Sequence, residues 1–284
     1  MLKPEVLRSI IIEKKEHMMI VRDANKKQPR FVMLHIVRGE DDNHVALGFI
    51  DVDDLVKRRG KEQRRLDQSH QIIEMLGGVV EARNLESGEH IQRVKHFTRI
   101  LAEDMLDRYK EYNLDYHKVE LIVSASALHD VGKIMIRDNI LLKPDKLTSE
   151  EFETMKTHTT IGCEIVKKTM KGVDEEYYKY CYEIARYHHE KYDGKGYPEG
   201  LKGEEIPIAA QLVSVADVFD ALTSKRVYKD AYSLDEAYNM ILKGECGQFS
   251  SKLLDCFKNT KDSLFAMSKS MKSDEQGELQ SVKM

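Results

Sequence analysis

Apolar residues follow two rhythms along this 284-residue chain. In the first fifty positions they fall into three short runs, EHMMIVRD, RFVMLHIVR and HVALGFIDVD, separated by ANKKQP and GEDDN. Short β-branched runs between turn-rich segments predict a three-stranded antiparallel meander. From Asp53 the spacing lengthens to three and four residues, the mark of helix faces. DDLVKRRGKEQRRLDQSH has few apolar positions and reads as a charged linker helix. RLDQSHQIIEMLGGVVEAR places Leu66, Ile73, Leu76 and Val80 on one buried face. IQRVKHFTRILAEDMLDRY, YHKVELIVSASALHDVG and SEEFETMKTHTTIGCEIVKKTM repeat that rhythm. In the last of these, Ser149 followed by two acids marks a helix start. PIAAQLVSVADVFDALTS is a further buried helix, opened by a proline. The closing SKSMKSDEQGELQSVKM is polar and uncapped, and reads as a frayed tail. The expected layout is a small β-meander at 1–52, a helical linker at 53–67, a mostly α helical domain at 68–262 and a flexible tail at 263–284.

Composition narrows the class of protein. With 41% hydrophobic and 33% charged residues the chain can bury a core and keep a solvated surface. No apolar run approaches the roughly 18–20 residues of a membrane span, and the N-terminus lacks a secretory cleavage pattern. The net charge of −4 speaks against a nucleic-acid polymer as partner, since that needs a broad basic surface. Cys163, Cys181, Cys246 and Cys256 show no close pairing, which fits reduced thiols and a cytoplasmic location and argues against a thiolate zinc finger.

The chemistry lies in the histidines. His90, His129, His158, His188 and His189 stand at ends or faces of the expected helices, with carboxylates beside them. Glu86 precedes His90 by four residues. ALHDVGK gives adjacent His129 and Asp130, and Gly132 is expected to end their helix and leave both on a last turn directed out of the bundle. Asp217 lies in an otherwise apolar helix, where a carboxylate costs several kcal/mol unless a cation meets it. Adjacent His188 and His189 point about 100° apart on a helix, so both reach one place only from an element's end. Five imidazoles and three carboxylates suit two or three divalent ions. Iron or manganese are the first choices, zinc or nickel the others, bound through nitrogen and oxygen.

The motifs carrying this chemistry resemble one family closely. HD at His129-Asp130 and GYP at Gly196-Tyr197-Pro198 are the signatures of the HD-GYP phosphodiesterases, a branch of the HD phosphohydrolases that hydrolyses cyclic di-GMP. The resemblance runs from about Gln68 to Phe257 and includes HDVGKI, ILLKPDKLTSEEFETMKTHTTIG, HHEKYDGKGYPEGLKGEEIP and ADVFDALTSKRVYK. It implies an HD-type helical bundle. By resemblance, His90, His129, Asp130 and Asp217 match ligands of one metal, with Asp130 bridging to a second held by His158, His188 and His189. Glu86 matches the position that in some members completes a third site. Lys133 matches the contact to the scissile phosphate, Arg226 and Lys229 the clamp on the second phosphate, and Gly196 and Tyr197 the loop bordering the nucleotide.

The implied reaction is hydrolysis of cyclic di-GMP to pGpG, and onward to GMP. Paired ions would lower the pKa of a water between them, and Lys133 would neutralise the phosphate oxygens. The alternatives are cyclic GMP-AMP as substrate and a catalytically silent nucleotide-binding or signalling module. Departures from the family pattern fall at Asn84-Leu85, Val227 and Ser250-Ser251, where an Asp-Pro pair, a proline and a second Asp-Pro are usual; none removes a ligand. GFIDVDD also resembles the second half of a PAS sensor fold, and the meander with its linker is a candidate homodimer element.

Overall fold

The computed structural model describes the backbone of residues 17–22, 29–38, 45–51, 54, 56–58, 73, 75, 77–83, 89–170, 173–224 and 231–281, and within those ranges the side chains from residue 54 to residue 271. The chain divides into two compact units, Met1–Ser69 and His70–Met284. In the first, β1 (His17–Arg22), β2 (Pro29–Arg38) and β3 (Val45–Asp51) form a sheet in the order β1-β2-β3, both pairs antiparallel. Met18 is in register with Met33, and Ile36 with Leu47. Of the expected linker, residues 54 and 56–58 are helical and the others lie outside the described residues.

The second unit is helical wherever regular structure is described, the architecture expected of an HD-type bundle. After a helical stretch at 77–83, α1 (Glu89–Arg108) buries Phe97, Leu101, Ala102 and Met105 completely. Their three- and four-residue spacing is the apolar face read from the sequence. Against it pack α2 (Tyr116–Ala125), α6 (Ile208–Thr223), α8 (Ser251–Asn259) and α9 (Lys261–Ser281). Between α2 and α6 in the chain come α3 (Ser149–Lys156), α4 (His158–Thr169) and α5 (Glu175–Tyr187); α7 (Leu234–Leu242) follows α6. Phe219 on α6 ties the layers together, edge-on to Phe97 at 5.1 Å and to Phe257 at 5.6 Å.

Four local differences from the sequence reading have physical causes. The segment from Ser149 to Met170 is two helices: it turns at Thr157, whose hydroxyl donates to the Thr154 carbonyl at 2.6 Å. The N-cap of α3 is Thr148, in a capping box with Glu151; Ser149 is the first helical residue. The expected flexible tail begins as helix α9, anchored by fully buried Leu264 with Phe265 and Met267 packed on the core, because apolar positions continue inside a charged segment. The departure at Ser250-Ser251 leaves no defect, since the Ser250 hydroxyl accepts from the Leu253 N–H at 3.1 Å and caps α8.

A further difference concerns Gly132. It does not end a helix in a left-handed turn, and His129 and Asp130 are not directed outward. Both are buried between 3-10 turns at Ser126–Leu128 and Val131–Met135. Gly132 is needed for close approach: a Cβ there would overlap the His158 carbonyl oxygen and lie 2.6 Å from the Gly162 nitrogen. The missing side chain lets the His129-Asp130 turn lie against α4. Gly132→Ala is expected to lower stability by about 1–3 kcal/mol, read as a reduced denaturant midpoint.

Candidate metal centre

Three of the five imidazoles are oriented by main-chain carbonyls. His129 Nδ1 donates to the Ser126 carbonyl at 2.9 Å, His158 Nδ1 to Met155 at 2.7 Å and His188 Nδ1 to Ile184 at 2.9 Å. A carbonyl can only accept, so Nδ1 carries the hydrogen and Nε2 is the nitrogen turned inward, free to bind an ion once it carries no proton. His90 reaches the same state through a carboxylate, its Nδ1 donating to Asp220 Oδ2 at 2.7 Å. Helix ends set these positions: His158 opens α4, and His188 is the C-cap of α5, so that His189 beside it reaches the same centre, their rings 4.0 Å apart.

The inward nitrogens meet in two groups. His90, His129 and Asp217 form one, and Asp130, His158, His188 and His189 the other; within each, one potential ligand atom per residue lies within 4.8 Å of the rest. Nε2 of His90 stands 3.4 Å from Nε2 of His129, and Nε2 of His158 3.5 Å from that of His188. Two ring nitrogens facing each other at that distance need a proton or a metal ion between them. Asp130 joins the groups: Oδ2 lies 3.4 Å from His129 Nε2, and Oδ1 3.2 Å from His158 Nε2. That Oδ1 is buried and accepts no hydrogen bond, an arrangement a metal ion relieves. Lys133 places its ammonium 2.5 Å from Asp130 Oδ2.

Electrostatics point the same way. Burial opposes a charge on His129, yet Asp130 and Asp217 outweigh it and hold its pKa up at about 10. Burial pushes His188 down to about 4, leaving a neutral ligand nitrogen. Burial would raise Asp130, but Lys133 and His129 keep its carboxyl well below the ordinary range. Carboxylates that draw positive charge to His129, beside a neutral His188, create the negative potential that a divalent first-row ion can answer in place of a proton, and the donor set fits one.

Residues 82–249 match the HD domain family. The chain belongs to that family. HD-domain phosphohydrolases are metal-dependent, and the His/Asp cluster of this HD domain can hold metal ions. The sequence is 40% identical over 206 residues to a probable cyclic di-GMP phosphodiesterase of Vibrio cholerae, covering 71% of this chain and 46% of that one. It is 41% identical over 187 residues to a cyclic di-GMP phosphodiesterase of Thermotoga maritima, covering 66% and 48%. It is also 36% identical over 205 residues to a 3'3'-cGAMP-specific phosphodiesterase of Vibrio cholerae, covering 72% and 37%. The matched region is thus less than half the length of each relative. The family match begins at residue 82, so the three-stranded unit and its PAS-like reading lie outside it.

The HD domain gathers every described residue singled out from the sequence as a ligand, together with Lys133. Tyr197 packs its ring on His189, centroids 4.8 Å apart. Gly196 brings the loop against the chain, since a Cβ there would overlap the backbone of Glu190 and Lys191. Glu86, Arg226 and Lys229, with Asn84-Leu85 and Val227, lie outside the described residues.

Three carboxylates escaped the sequence reading. Asp220 orients His90 and accepts from Arg93 Nε at 2.5 Å; its signal was a second acid three residues after Asp217 in one apolar helix. Glu81 is buried with Oε1 3.7 Å from His90 Nε2. Glu190 is buried and accepts from the N–H groups of Glu199, Gly200 and Leu201 at 2.7, 3.0 and 3.1 Å, which fixes the loop carrying Tyr197. No helix among the described residues is long and apolar enough to cross a membrane.

Proposed function

We propose that this chain hydrolyses a cyclic dinucleotide, with cyclic di-GMP as the first candidate, at a centre of two divalent ions held by His90, His129 and Asp217 on one side and by His158, His188 and His189 on the other. The observation that carries the reading is Asp130, whose two oxygens each face one imidazole group. A carboxylate so placed is suited to bridge neighbouring ions. Iron or manganese suit the donor set, and a third ion would need a further carboxylate. When bound, such ions supply Lewis acidity and lower the pKa of a water molecule.

The protein's own groups account for the rest. Carbonyl bonds to Nδ1 hold the ligand nitrogens in place before any cation arrives, which removes reorganisation from binding. Lys133 stands beside Asp130 and is placed to neutralise the non-bridging oxygens of one phosphodiester. Water adds to phosphorus, one P–O bond breaks, and the ring opens to linear pGpG; a second hydrolysis gives GMP. Relatives named for cyclic di-GMP and for cGAMP keep both substrates in this reading. The test is turnover of cyclic di-GMP and 3'3'-cGAMP, side by side, by protein purified anaerobically and loaded with Mn²⁺ or Fe²⁺. Linear product from at least one is expected; tight binding without turnover of either would replace the enzyme with a silent nucleotide-binding module.

A further inference from the structure

Phe152 is among the few large apolar side chains that the described residues leave in water, 45% exposed. It lies on α3, a helix that buries none of its own residues, so its ring does not serve as a core anchor. That helix nevertheless belongs to the centre, because its Met155 carbonyl accepts from His158 Nδ1. The Phe152 ring stands edge-on to Tyr197, centroids 6.4 Å apart at 80°, and Tyr197 in turn lies 4.8 Å from His189. Three rings thus step outward from a candidate ligand to solvent. Lys156, one turn beyond Phe152, holds its ammonium 5.1 Å from the Phe152 centroid and 5.7 Å from that of Tyr197, and pairs with Glu153 at 2.6 Å.

We propose that Phe152, backed by Tyr197 and Lys156, is the stacking platform for one purine base of the substrate. The inference rests on the phosphodiesterase reading above. A cyclic dinucleotide offers two kinds of surface, anionic diesters and flat bases, joined through a ribose. The centre with Lys133 takes a diester; the base attached to it must then lie a sugar's length away, against the side chains that border the centre. An aromatic face there recovers apolar contact on binding, and the lysine adds positive potential for the N7 acceptor that both purines carry. Every base has a π face, so the platform binds guanine and adenine alike. It therefore contributes affinity for purine dinucleotides as a class and leaves the choice between cyclic di-GMP and cGAMP to other contacts.

The test compares Phe152→Ala, Phe152→Trp and wild type. Stacking predicts that Phe152→Ala raises KM for cyclic di-GMP and weakens calorimetric binding of pGpG, each by about 5- to 100-fold, with kcat little changed. Phe152→Trp restores both. Hydrolysis of methyl p-nitrophenyl phosphate, a diester without a purine, stays at the wild-type rate in both variants. Unchanged KM and pGpG affinity in Phe152→Ala overturn the platform, and so does an equal loss on both diesters, which would mark a structural role. Should the wild type cleave neither diester, the phosphodiesterase reading falls, and the pGpG comparison still decides the platform.

Discussion

Replacing Asp130 with asparagine is expected to empty the centre of tightly held metal and to slow hydrolysis by about 10³-fold or more. The side chain keeps its shape, so the fold is retained, but the carboxylate whose oxygens face both imidazole groups becomes neutral. One of its oxygens becomes an amide nitrogen, which cannot donate a lone pair to an ion. Whichever way the amide turns, it loses its contact with either the His129 side or the His158 side. A metal contributes several kcal/mol of charge stabilisation to a phosphodiester reaction, and each 1.36 kcal/mol is tenfold in rate. Lys133 also loses its anionic neighbour, so its ammonium is no longer held at the centre. Metal per chain, measured by mass spectrometry on anaerobically purified protein, is the direct readout and the rate is the second. A variant that retains two ions with the wild-type rate would show that Asp130 does not bridge.

Much of this centre could be read from residue types, and the reason is chemical. Imidazoles and carboxylates in such number have few other uses in combination, so His129-Asp130 and His188-His189, each ambiguous alone, point to a metal centre when taken together. The helices were legible for a similar reason: Phe97, Leu101 and Met105 need only local spacing to declare a buried face. What escaped depends on residues far apart in sequence. Asp220 has meaning only once Arg93, 127 positions earlier, lies beside it. Gly132 looks like a helix terminator until α4 is laid across it. Glu190 carries no local signal of its role, which appears only when the loop folds back and offers it three N–H groups. The tail misled differently, since Leu264, Phe265 and Met267 make one short apolar cluster at the head of a polar segment, and they pack α9 on the core.

Asp220 sets the second large expectation, because it serves the fold and the centre at once. Its Oδ1 accepts from Arg93 Nε and its Oδ2 from His90 Nδ1, all three side chains being almost fully buried. Burial alone would raise this carboxyl; the bonds to His90 and Arg93 keep it ionised below its ordinary range. Asp220→Ala removes the anion and leaves the Arg93 guanidinium buried with Glu89 at 3.6 Å as a poorer partner. Breaking a buried pair from one side costs about 3–5 kcal/mol, read as a lower denaturant midpoint of chelator-treated protein, where no metal contributes. At the centre, His90 loses the bond that fixes its tautomer and ring plane, and metal affinity is expected to fall about 10- to 100-fold. Asp220→Asn separates the two roles. Its amide oxygen can still accept from His90, so metal affinity should recover in part, while the lost charge opposite Arg93 keeps the protein destabilised. If Asp220→Ala unfolds at the wild-type midpoint, the Arg93 pair contributes nothing to the fold. If it holds metal as tightly as the wild type, His90 is oriented by something other than this carboxylate.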